Sequence, residues 1–117
     1  MTFQAALSPP APSAGAAGRR DVRNRLAAGF RLLGQPDLGI GVAGHMSARD
    51  PERPDHFWVN PFGAAYRTMR PEQLALVRHD ATLVEGAPIN AAAFAIHSEI
   101  HRARADVACV VHGHPVH

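Results

Sequence analysis

Residues 89–114 read INAAAFAIHSEIHRARADVACVVHGH. Asn90 is a strong helix N-cap, because its side chain accepts a hydrogen bond from an orphan N–H of the first turn. The spacing predicts a helix from Ala91 to about Ala103. Val107 to His112 then reads as a strand, rich in β-branched residues and bounded by Gly113 and Pro115. Where that strand runs on through Gly113, His112 and His114 project to the same face. Two imidazoles side by side at the end of an apolar strand form half of a tetrahedral zinc site. Taken alone the pair is a weak motif, since histidines at strand ends are common.

The same stretch holds His97 and His101, four apart on the predicted helix and so on one face. A zinc protease needs glutamate directly after the first histidine as its general base. Here Glu99 falls one place too late, and that chemistry is excluded. His97 is expected to pack or hydrogen-bond where helix meets sheet, and His101 to be partly exposed. His45, His56 and His79 lie in or near expected loops, where a solvated histidine is the ordinary case. His117 follows Pro115, which breaks strand continuity.

Working towards the N-terminus, Thr82–Val84 pairs with Leu74–Val77 across a turn at His79-Asp80, and Pro71 opens a single helical turn. Phe57–Asn60 reads as a strand stopped by Pro61, with Gly63 allowing a tight turn. Asp50–Asp55 is a turn on composition, and His45–Arg49 a short strand. Val22, Leu26, Phe30 and Leu33 recur at three- and four-residue spacing, the signature of a helix with one apolar stripe, closed by Gly34 and Pro36. Residues 1–18, rich in Pro, Ala, Ser and Gly, are expected to be a disordered tail. Helix, short strands, helix, strand makes an α/β layered domain.

Composition narrows the chemistry. All 12 basic residues are arginine, so no lysine is present for Schiff-base catalysis on a carbonyl. The net charge is only +2 and Arg19-Arg20 is the longest basic run, which argues against a nucleic-acid partner. No stretch is apolar enough to span a membrane. The lone Cys109, inside an apolar run, reads as a core residue. One thiol makes no internal disulfide, so a cytoplasmic location is expected.

Several segments, in order and spacing, resemble the class II aldolase/adducin family. They are GHMSAR at Gly44–Arg49, FWVNPFG at Phe57–Gly63, LALV at Leu74–Val77, VEG at Val84–Gly86, and Ile89–His97 running on to Val110–His114. The resemblance covers nearly everything from Arg20 onward. It implies a three-layer α/β/α sandwich around a mainly antiparallel sheet, assembled as a homotetramer. The chain's stop at His117, without a closing helix, sets the expectation of a partial domain over 19–117.

The resemblance further implies that His112 and His114 ligate zinc, with the third histidine of the family's set falling beyond His117. In the family's aldolases zinc acts as a Lewis acid on the substrate's hydroxyl and carbonyl oxygens, and a glutamate on the preceding helix moves the proton. That glutamate position falls on Ala93, so no catalytic residue is assigned. Gly44, His45 and Gly63 are the expected substrate contacts. His45, Phe62, Ala91 and Ala92 stand where sugar-phosphate aldolases carry hydrogen-bonding groups for phosphate, which disfavours a phosphorylated substrate. The implied function is a divergent zinc-dependent carbon–carbon lyase (aldehyde-lyase type), epimerase or decarboxylase acting on a small non-phosphorylated hydroxy-carbonyl compound. The alternative is a non-catalytic, adducin-head-like binding or oligomerisation module. As it stands, the 117-residue chain is expected to be inactive.

Overall fold

The computed structural model describes residues 3–7, 15–35 and 44–113. They form β1 (Phe3–Leu7), α1 (Gly15–Leu33), β2 (Gly44–Arg49), β3 (His56–Val59), a single 3-10 turn at Pro71–Gln73, β4 (Ala75–Arg78), β5 (Leu83–Glu85), α2 (Ala91–Ala103) and β6 (Cys109–Gly113). The strands make one six-stranded sheet in the order β1-β6-β2-β3-β4-β5. Every neighbouring pair is antiparallel.

The pleat sorts side chains into two cores. Trp58 and Leu76 face each other across β3 and β4. They point to the same side as Met46 and pack with Leu26, Ala27 and Phe30 of α1. Their sequence neighbours Phe57, Val59, Ala75 and Val77 point the other way and are covered by Ile89 and by Phe94 of α2. A helix thus lies on each face of an antiparallel sheet, giving the three-layer α/β/α arrangement. Trp58 and Phe30 are fully buried, and truncating such an aromatic to alanine costs about 3–5 kcal/mol.

The elements follow local chemistry. The α1 stripe of Val22, Leu26, Phe30 and Leu33 joins the first core or packs against it. Asn90 caps α2, its side chain accepting from the Ala92 N–H at 2.7 Å. Two expectations are corrected. Within residues 1–18, Phe3–Leu7 is an edge strand paired with β6, and α1 begins at Gly15. A strand needs only backbone partners, which the open edge of β6 supplies whatever the side chains. The composition argument weighed side-chain burial alone. His56 also lies on a strand rather than in a loop, and it is buried. Pro36, His114 and His117 lie outside the described residues.

Asp50, directly after β2, ties the layers together. Its side chain is buried and accepts five hydrogen bonds. Arg19 of α1 donates through Nε at 2.8 Å and Nη2 at 3.1 Å. The Trp58 indole donates at 2.9 Å, and the backbone N–H groups of Glu52 and Arg53 at 2.8 and 3.0 Å. Arg23, one turn along α1, lays its guanidinium over the Trp58 ring at 4.6 Å. Burial pushes the Asp50 carboxyl pKa up, but Arg19 and the two backbone donors outweigh it and hold it below the usual value of 3.8.

Two outcomes follow for stability. Asp50→Ala strands the Arg19 charge and the indole N–H, and should cost about 3 kcal/mol, read as a lowered urea midpoint. Because the folded carboxyl is depressed, its contribution is complete above pH 3.8 and is lost as pH falls through the lower folded value. Acid unfolding below that pH should therefore be blunted in Asp50→Ala. An unchanged urea midpoint in the variant would contradict the linking role.

Candidate functional site

The face of the sheet under α2 carries a polar cluster. On β2 the alternation sends His45, Ser47 and Arg49 to this side, while Met46 and Ala48 join the opposite core. On β6, Cys109 and Val111 pack with that opposite core, which leaves Val110 and His112 on the α2 side. His45 and His112 are direct cross-strand partners. Their rings stack with centroids 6.1 Å apart. Gly44 makes this approach possible. Its φ is +107°, and a Cβ there would come within 2.6 Å of the His112 carbonyl oxygen.

From above, α2 contributes His97 and His101, both fully buried. The Ser47 hydroxyl sits between them, 2.6 Å from Nδ1 of His97 and 2.8 Å from Nε2 of His101. The expected packing role of His97 is what the structure shows. The expected partial exposure of His101 is corrected, because the i+4 position brings its ring over β2 and stacks it on Phe57 at 5.3 Å. Burial, reinforced by neighbouring positive or titratable groups, pushes both imidazoles down to about 3. Both are neutral at physiological pH.

Arg49 completes this side of the cluster. Its guanidinium donates to the carbonyls of His101 at 2.6 Å, Pro54 at 2.7 Å, Arg104 at 3.0 Å and Val107 at 3.2 Å. It therefore fastens the C-terminal end of α2 to β2. Cys109 is half-buried, and burial pushes its thiol up to about 11, so it is not an activated nucleophile.

A small open cleft of about 70 Å³ lies at the N-terminal end of α2, lined by His45, Asn60, Phe62, Gly63 and Asn90. Of the expected substrate contacts, His45 and Gly63 line it, whereas Gly44 is packed against β6. Gly63 has a φ of +80° and open space where a Cβ would stand. Asn60 is buried and its Oδ1 has no hydrogen-bond partner. Asn90 has committed its Oδ1 to the helix cap, leaving its amide N–H groups as what it can offer a ligand. In the sequence, Asn60 reads only as a strand end and Asn90 only as a cap. The signal available was that both flank a proline or glycine turn that returns the chain to one place.

Ala93 is fully buried on α2 one turn before His97, so no carboxylate enters the site there. Among the described residues no group of three or more His, Cys, Asp or Glu side chains is arranged to hold a metal ion. His114 lies outside those residues.

Comparison with known proteins gives a consistent set. Residues 24–117 match the family model of the class II aldolase and adducin N-terminal domain. The meiotically up-regulated gene 14 protein of Schizosaccharomyces pombe is 36% identical over 101 residues, covering 85% of this chain and 39% of that protein. Decarboxylase NovR of Streptomyces niveus is 47% identical over 79 residues, covering 66% of this chain and 29% of NovR. The solved structure of an L-fuculose 1-phosphate aldolase from Glaciozyma antarctica superimposes with a TM-score of 0.83 at 40% identity, over 92% of this chain and 45% of that one. The chain spans less than half the length of these relatives.

The buried imidazoles set a pH dependence. Their folded values near 3 lie below the ordinary 6.5, so the unfolded chain takes up protons first. Stability should be complete above pH 6.5 and fall as pH drops towards 3, by up to about 1.4 kcal/mol per pH unit for each group. Unfolding free energies from urea titrations at pH 7 and pH 5 should differ by roughly 4 kcal/mol. Equal midpoints would show that the two rings are not buried as neutral bases.

Proposed function

The chain belongs to the class II aldolase and adducin family, and on that premise we propose that it forms the substrate-binding half of a divergent, zinc-dependent enzyme. The reaction is carbon–carbon lysis, epimerisation or decarboxylation of a small, non-phosphorylated hydroxy-carbonyl compound. The carrying observation is the cleft of His45, Asn60, Phe62, Gly63 and Asn90. It offers an acceptor at Asn60 Oδ1 and amide donors at Asn90, which suits one hydroxyl and one carbonyl. It offers no lysine, arginine or side-chain hydroxyl for a phosphate. Phe62 is largely exposed beside it, an apolar wall. Its volume of about 70 Å³ is far below the roughly 300 Å³ at which drug-sized pockets begin, so the described portion holds only a few atoms of a ligand.

The donor chemistry of the neighbouring strand fits a borderline-soft cation. His112 presents an imidazole on the α2 face, and His97 adds a buried Nε2 without a hydrogen-bond partner. By family membership His112 and His114 would hold zinc. Bound there, zinc supplies a Lewis acid for charge developing on the substrate's oxygens. The chain's own residues bind and orient. Asn60 and Asn90 fix the ligand's polar atoms, Gly63 lets it approach the backbone, and Phe62 restricts water. Ala93 carries no proton, so any general base comes from elsewhere.

A second reading rests on that same buried alanine. A site without its carboxylate suits a binding or oligomerisation module of the adducin kind, with no turnover and no metal. A tetrameric assembly and a cytoplasmic location belong to both proposals.

Metal content by mass spectrometry separates them. The chain should carry little zinc, and a product extended beyond His117 about one ion per subunit. His112→Ala should reduce that content by at least tenfold without unfolding the protein. If neither form holds metal and His112→Ala changes nothing, the lyase reading is lost and the binding module remains.

A further inference from the structure

Asn60 is 5% exposed, yet its Oδ1 accepts no hydrogen bond from the protein. The same fold surrounds the buried Asp50 carboxylate with donors from Arg19, Trp58, Glu52 and Arg53, so a bare acceptor is not a general feature of its interior. Leaving such a group unpaired costs about 1–3 kcal/mol. Leucine has nearly the same shape and would carry no such cost. A buried acceptor kept without a partner, on a side chain that lines a cleft, calls for a partner that enters the cleft from outside the chain.

The backbone holds Asn60 in that wall. Pro61 follows directly after it, and the Phe62 N–H donates to the Pro88 carbonyl at 3.0 Å. That bond ties the turn after β3 to the segment entering α2, and so brings Asn60 and Asn90 to one cleft. Gly63, in the same turn, has open space where a side chain would start, so a ligand can reach the backbone there. The two asparagines differ in what remains to them. Asn90 has committed its Oδ1 to the Ala92 N–H and keeps its amide donors, whereas Asn60 keeps an unused acceptor.

We propose that Asn60 is a specificity-determining residue that demands a hydroxyl from the ligand. A hydroxy-carbonyl compound then binds in one orientation, its hydroxyl on Asn60 Oδ1 and its carbonyl on the Asn90 amide. A ketone or carboxylate oxygen set against Oδ1 brings lone pair against lone pair, and a methyl group there leaves the acceptor bare. A site built to accept a hydrogen bond from a hydroxyl rejects the analogue that lacks it. The class of ligand rests on the proposed function, but the hydroxyl preference needs no metal.

The test uses hydroxyacetone and butanone, which differ only by a hydroxyl in place of a methyl group. Each is titrated into the nitrogen-15-labelled chain without metal, and NMR follows the Gly63 backbone and Asn90 side-chain amide signals. Hydroxyacetone should move both, with a dissociation constant at least about tenfold below that of butanone. Asn60→Leu should erase or reverse this preference and, by removing the unpaired acceptor, raise the urea midpoint. Equal binding of the two probes to the wild-type chain, or movement of neither signal, overturns the proposal. So does an Asn60→Leu chain that keeps the preference, or one that fails to fold, because Asn60 would then serve the fold alone. Absence of zinc with the preference intact removes the lyase reading and leaves the ligand site standing. Zinc in the extended product with no preference for the hydroxyl does the reverse.

Discussion

A buried carboxylate that accepts five hydrogen bonds is the constraint on which the rest of this domain depends. Asp50 can be anionic inside the protein only while Arg19, the Trp58 indole and two backbone N–H groups surround it. Those donors come from α1, from β3 and from the turn that joins β2 to β3. Satisfying one charge therefore fixes the helix against the sheet, the rotamer of the largest core side chain and the reversal between two strands. A pair buried in this way contributes specificity of arrangement more than net stability. The apolar cluster around Phe30 and Trp58 supplies the driving force, and Asp50 decides which packing that force selects.

The opposite face is built from polar groups instead. Ser47 and Arg49, two residues apart on β2, reach up to α2. Ser47 holds ring nitrogens and Arg49 holds backbone carbonyls at the helix end. The helix is thereby secured at points along its buried side and at its C-terminus, while its N-terminus borders the cleft. Rigidity at one end of a helix and openness at the other is a sound base for a binding site, because the groups that meet a ligand are held by groups that do not.

Much of this was legible in the residues themselves. Asn90 announced the start of α2, the stripe from Val22 to Leu33 announced α1, and the resemblance placed them in three layers. Long-range polar contacts were not legible. Nothing local in Asp50 says that it meets Arg19, since 31 residues separate them and a turn aspartate usually faces water. His101 looked half exposed for a similar reason. Helical spacing gives a face, but which face is covered depends on a strand far away in the chain. Strand Phe3–Leu7 escaped because it is held by backbone pairing, which composition does not record.

The order of the strands has a consequence for how the domain is made. β2 to β5 pair with their chain neighbours, so this meander consists of short loop closures that form early and cheaply. β6 instead inserts beside β2, at the far side of the meander, and only then does His112 meet His45. During synthesis the sheet can assemble from β2 to β5 while the flank of β2 that carries Ser47 and His45 stays uncovered. Among the described strands β6, and β1 through it, joins after the meander, so the edge of β2 stays unpaired until then.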